Sequence, residues 1–127
     1  MKQRKVLITG GLGFIGSNLT RYYTALGDQV TVLDCLDPNS GGRLFNIIDI
    51  KSDIKLLPYD ILDFDRLCEA VVEQDVIVNC AASTSHPYSM REPWLNLDVN
   101  SRGVINILEA IRRFNAKAKF IHLGTTT

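Results

Sequence analysis

The sequence predicts an α/β fold, a doubly wound parallel sheet of about five strands in the order 3-2-1-4-5. Three observations predict it. Short β-branched runs alternate with helix-spaced segments along the whole chain, so each crossover brings the next strand back in the same direction. A glycine-rich turn, Thr9-Gly10-Gly11-Leu12-Gly13-Phe14-Ile15-Gly16, closes the first run and opens the first helix. An acidic residue, Asp34, ends the second run. Right-handed crossovers leave few topologies, and the doubly wound order is the commonest of them.

The elements follow in chain order. Lys5 to Thr9 is a strand closed by glycines. Gly13 to Leu26 carries Phe14, Ile15, Leu19, Tyr22, Tyr23 and Leu26 near helical spacing, and Gly27 stops it. Gln29 to Leu33 is a second strand, and Pro38 to Gly42 is a turn-rich loop. A helix is expected around Leu44 to Ile50, then a third strand from Ile54 to Leu57, ended by Pro58. Asp63 caps a helix running to about Val72. Val76 to Asn79 is the fourth strand. Ser83 to Pro93, with two prolines, reads as an irregular loop. Trp94 to Phe114 reads as one long helix, with Leu97, Ile105, Leu108 and Ile111 on its apolar face. Lys119 to Leu123 is the fifth strand, with His122 packed toward the core.

Composition narrows the function classes. The chain has 127 residues and 46 % hydrophobic residues, enough for one domain with a real core. Fourteen basic and fourteen acidic side chains cancel, which argues against a nucleic-acid partner or an anionic membrane surface. The basic start, Met1-Lys2-Gln3-Arg4-Lys5, leads into an apolar run too short for a signal peptide or a membrane span. Cys35, Cys68 and Cys80 form no CxxC pair, and His86 and His122 complete no metal site. Reduced thiols in a cytoplasmic protein are expected.

The glycines have separate jobs. Gly10 turns the chain out of the first strand, Gly13 lets the backbone approach a pyrophosphate, and Gly16 lets the helix pack closely on the sheet. Free amides at the helix start face the anion, where the helix dipole favours negative charge. Asp34 stands 18 residues after Gly16, where a carboxylate accepts hydrogen bonds from the adenosine ribose and repels a 2′-phosphate. NAD is therefore favoured over NADP.

The glycine spacing in TGGLGFIG resembles that of the extended short-chain dehydrogenase/reductase family, the NAD-dependent nucleotide-sugar epimerases and dehydratases with a Rossmann-type domain. Further segments carry the same resemblance: Asp60-Ile61, Asn79-Cys80-Ala81-Ala82, Asn100 with Gly103 and Asn106-Ile107-Leu108-Glu109-Ala110, and Phe120 to Thr125. A histidine is more usual where Asn79 stands. The resemblance implies that Gly10, Gly13, Phe14, Ile15 and Gly16 hold the pyrophosphate, Asp34 the ribose, and Asp60 and Ile61 the adenine end. It implies that Ala81, Ala82 and Thr84 line the path to the nicotinamide, that Asn100 supports that end, and that the Thr125 hydroxyl bonds the reacting sugar oxygen. Other readings stand beside these. Ala81 and Ala82 are also small enough simply to let a helix cross, and Asn100 also suits bonding to neighbouring backbone. His86 reads as a solvated loop residue, and Tyr88 and Trp94 as anchors of loop and helix.

The family's general base is a tyrosine followed four residues later by lysine. Here Tyr22, Tyr23, Tyr59 and Tyr88 are followed at that distance by Leu26, Gly27, Asp63 and Glu92. The expectation is an N-terminal, NAD-binding portion of a longer enzyme, residues 1–127, truncated before the later strands and the substrate domain. Its nucleotide-sugar belongs to the parent enzyme. The portion alone is expected to be inactive and to self-associate through the exposed edge of its fifth strand. The alternative is a non-enzymatic module that senses the NAD state.

Overall fold

The computed structural model describes residues 2–125; Met1, Thr126 and Thr127 lie outside the described residues. Five parallel strands form one sheet in the order β3-β2-β1-β4-β5. They are β1 (Lys5–Thr9), β2 (Gln29–Leu33), β3 (Lys55–Leu57), β4 (Val76–Asn79) and β5 (Lys119–His122). The order reverses between β1 and β4, the switch point beside which open α/β sheets bind ligands, at the carboxyl ends of the strands. In register, Thr9 stands beside Leu33 and Asn79, and Asn79 stands beside His122. These four residues form a row across the carboxyl edge.

Two layers cover the sheet. On one face Leu7, Leu33 and Ile77 pack with Ile61, Leu67 and Ile107 from the segments that follow β3 and β4. On the other, Val6, Ile8, Val30, Val32, Val76 and Val78 pack with Leu12 and Ile47. Alternate residues of each strand face opposite layers, so runs such as Val6-Leu7-Ile8 are buried on both sides.

Helix α1 (Phe14–Ala25) lies where the spacing predicts, yet its buried positions are Gly16, Ser17 and Thr20. Phe14 is 83 % exposed and Tyr22 59 %. Small residues let α1 approach the sheet closely; Leu19 and Tyr23 pack against the core, and Phe14, Ile15 and Tyr22 face outward. The helix expected around Leu44 to Ile50 is instead two short 3-10 turns, Leu44–Ile47 and Lys51–Asp53. Asp63 does cap α2 (Phe64–Val71), accepting the Arg66 amide at 3.2 Å.

The segment from Ser83 to Pro93 is not irregular. It contains α3 (His86–Arg91) and leads into α4 (Pro93–Leu97). Both prolines sit in first turns, where the missing N–H costs nothing, and the Ser85 hydroxyl caps α3. The long helix after Trp94 is also interrupted. A π-turn, Asp98–Arg102, separates α4 from α5 (Gly103–Phe114). That extra residue per turn rotates the helix face. Gly103, Ile107, Ala110 and Ile111 are buried, whereas Leu97, Ile105 and Leu108 are 52 %, 58 % and 45 % exposed. Trp94 is 78 % exposed.

Candidate functional site

The turn after β1 is built on close approaches. Gly10 has φ +66°, a left-handed conformation, and a Cβ there would lie 2.6 Å from the Ala81 amide nitrogen. The turn is therefore pressed against the chain leaving β4. A Cβ on Gly16 would overlap the Gly10 carbonyl. Gly13 differs: a Cβ would meet only the Gly10 oxygen, at 3.4 Å. The open space above Gly13 belongs to the cleft outside the turn. Gly13 precedes α1, whose start has no side-chain cap and no acidic residue in its first turn. The amides of that turn open on the cleft with the positive end of the helix dipole behind them.

Asp34 follows β2 and is 7 % exposed. Its carboxylate accepts the Leu12 amide at 3.1 Å through Oδ2 and the Leu36 amide at 3.0 Å through Oδ1. The second bond holds Leu36 in a left-handed conformation, φ +58°. Asp34 thus ties the glycine turn to the loop after β2, and a carboxylate retains lone pairs beyond these two bonds.

Asp60 turns the chain after β3 by accepting the Leu62 amide at 2.9 Å. The Ile61 side chain is 3 % exposed and lies in the core against Gly103, where a Cβ would overlap its Cδ1. Asn106 donates to the Ile61 carbonyl at 3.0 Å. Ile61 therefore meets the cleft mainly through its backbone.

Beyond β4, Ala81, Ala82 and Thr84 line the cleft. Asn100 does not. Its Oδ1 accepts the Ser83 amide at 2.8 Å and its Nδ2 donates to the Ser83 carbonyl at 2.9 Å. Asn100 stands in the π-turn and clamps the segment that forms the wall. Thr125 follows β5 and is exposed. His122 is the last residue of β5, also exposed, and stacks on Phe120 rather than entering the core.

One cleft of about 440 Å³ is lined by Gly10, Gly13, Phe14, Ile15 and Gly16 together with Asp34, Asp60 and Ile61. It lies at the carboxyl ends of the strands beside the switch point. Gly41, Gly42, Tyr88, Leu95 and Val99 also line it and are not among the site residues expected from the sequence. The Gly41-Gly42 pair was a visible signal of close approach, and a Cβ on Gly42 would stand 3.2 Å from Asp34 Oδ1. Tyr88, Leu95 and Val99 depend on the helices at Pro87 and Pro93 and were not readable as wall residues. Cys80 lines the cleft as well, and burial pushes its thiol up to about 11, so it is an inert protonated wall. A second groove, of about 530 Å³, runs along β3 and α2 from Lys5, Gln29 and Glu73 to Leu57 and Tyr59, and contains the Lys5–Glu73 ion pair.

The main cleft is lined by the uncapped first turn of α1, the carboxylate of Asp34 and the small residues Ala81 and Ala82. That donor set suits a dinucleotide. Among the described residues no group of histidine, cysteine and acidic side chains could hold a metal ion. No helix among them is long and apolar enough to cross a membrane.

A family model described as GDP-mannose 4,6 dehydratase matches residues 7–127, and the chain belongs to that family of nucleotide-sugar epimerases and dehydratases. A dTDP-glucose 4,6-dehydratase from Mycobacterium tuberculosis is 35 % identical over 121 residues, covering 92 % of this chain and 35 % of that protein. An epimerase from Methanothermobacter thermautotrophicus superposes with a TM-score of 0.87 at 29 % identity, over 98 % of this chain and 36 % of that one. A UDP-glucose 4-epimerase from Thermus thermophilus, solved in complex with NAD, gives a TM-score of 0.73 at 32 % identity, over 86 % of this chain and 34 % of that one. The chain spans about a third of the length of the relatives it matches.

Proposed function

We propose that this member of the GDP-mannose 4,6-dehydratase family forms the NAD-binding domain, residues 1–127, of a cytoplasmic nucleotide-sugar epimerase or dehydratase. The observation that carries the reading is the uncapped start of α1 above the open space at Gly13, with Asp34 in the same cleft at the switch point. The amides of Phe14, Ile15 and Gly16 hold the pyrophosphate, and the turn at Gly10 aims them. Asp34 accepts from the adenosine ribose, and its charge disfavours a 2′-phosphate. Asp60 and the Ile61 backbone border the adenine. Ala81, Ala82 and Thr84 leave room for the nicotinamide end, on a wall that Asn100 holds in place. When bound, NAD supplies a hydride acceptor. The Thr125 hydroxyl then hydrogen-bonds the reacting oxygen of the sugar.

These 127 residues alone support no turnover in this reading, because none of the four tyrosines has a lysine four positions on. Calorimetric titration tests the binding claim. NAD is expected to bind and NADP to bind more weakly; a folded sample that binds neither contradicts it. The reading also includes self-association through the β5 edge, whose outer side pairs with no strand among those described. Sedimentation is expected to show a concentration-dependent dimer that Ile121→Lys disrupts.

A further inference from the structure

The row of residues at the carboxyl edge contains a buried polar chain whose members do not line the cleft. Thr9 is 0 % exposed and Asn79 1 %. The Thr9 hydroxyl donates to Asn79 Oδ1 at 2.6 Å, and the Ala81 backbone amide donates to the same oxygen at 3.1 Å. The amide of Ala81 is only a donor, so the atom facing it is the oxygen of Asn79 and the orientation of that side chain is fixed. Asn79 Nδ2 then faces His122 Nδ1 at 3.1 Å. An NH2 group only donates, so Nδ1 is the acceptor and the ring proton of the neutral imidazole sits on Nε2. Phe120 stacks on the same ring, with centroids 6.3 Å apart and planes 17° from parallel. The Nε2–Cδ2 side of the ring lies against Gly124, 3.6 Å from where its Cβ would be. Gly124 is the residue before Thr125.

We propose that Asn79 fixes His122 as its Nε2–H tautomer, and that the ring so held is a positioning residue for Gly124 and Thr125. The relay then runs from the core between β1 and β4 out to the end of β5. It sets where the Thr125 hydroxyl stands and turns a second hydrogen-bond donor to the same strand end. Only the link to catalysis rests on the role proposed above for Thr125; the tautomer does not depend on cofactor binding.

Nitrogen-15 NMR of the histidines in the 127-residue chain, in mildly alkaline buffer, tests this. Long-range proton–nitrogen correlations are expected to show His122 with a bare Nδ1 and a protonated Nε2, in one form. An averaged pattern of two tautomers, or a protonated Nδ1, overturns the proposal without any variant being made. Asn79→Asp keeps acceptors for Thr9 and Ala81 but presents an oxygen to the ring. It is expected to move a proton onto Nδ1, and an unchanged His122 pattern in the folded variant overturns the relay. His122→Ala is expected to shift the Thr125 amide and methyl resonances; Thr125 signals identical to those of the unaltered chain overturn the positioning role. The calorimetric titration with NAD, done on the same sample, reports separately on the cofactor reading.

Discussion

Gly10 shows how much a single missing side chain carries. A methyl group there meets both a left-handed φ and the Ala81 backbone, neither of which can give easily. Gly10→Ala is expected to destabilise the chain by about 2–4 kcal/mol, combining backbone strain with overpacking; chemical denaturation measures it. Asp34 carries two jobs that one substitution separates. In Asp34→Asn one of the Leu12 and Leu36 amides faces an NH2 group in place of an oxygen. Unliganded stability is expected to fall by about 1–3 kcal/mol, and NAD affinity by about tenfold or more. Denaturation without NAD and calorimetry with it read the two effects independently. Asp28 sets a pH dependence. The Arg4 guanidinium, 2.6 Å away, holds its carboxyl below the ordinary carboxylate value against the opposing effect of burial. A lowered folded value means the stabilisation is present above the ordinary carboxylate range and is lost as pH falls through the lowered value. The unfolding midpoint is expected to drop as pH falls below about 5 and on through the lowered value, and Asp28→Asn to flatten that drop.

At the scale of elements, α5 and the π-turn before it serve two walls of the cleft at once. Asn106 and Gly103 hold the Ile61 segment, and Asn100 holds Ser83. Asn100→Ala removes both bonds to Ser83. It is expected to cost about 1–2 kcal/mol, to raise hydrogen exchange at the Ser83 amide, and to weaken NAD binding though Asn100 does not line the cleft. An unchanged Ser83 exchange rate contradicts the clamp. These same elements divide what was legible in the sequence from what was not. The strands were legible because β-branched runs bounded by glycine, proline and aspartate have few alternatives, as at Val76 to Asn79. The glycine turn and Asp34 were legible because their chemistry depends on local spacing. The helices at Pro87 and Pro93 were not, because proline in a first turn resembles proline in a loop until the cap at Ser85 is seen. The π-turn was not, because one extra residue shifts the buried set from Leu97 and Ile105 to Gly103 and Ile107 without leaving a mark in composition. His122 was misplaced because its partner, Asn79, is 43 residues away and lies on the neighbouring strand.

Across the whole molecule, two grooves adjoin one sheet, and the proposed cofactor site is one of them. The strand order puts the glycine turn, Asp34 and the Ala81–Thr84 wall at the carboxyl ends beside the switch point. The groove by Lys5 and Glu73 contains an ion pair and none of the glycine turn. The most direct test follows the backbone amides of the chain by NMR while NAD is added. Saturable shifts are expected at Gly10 to Gly16, Leu36 and Ala81 to Thr84, with Lys5, Gln29 and Glu73 unmoved. Shifts confined to the Lys5 and Glu73 groove, or none in the folded chain at any NAD concentration, contradict the account.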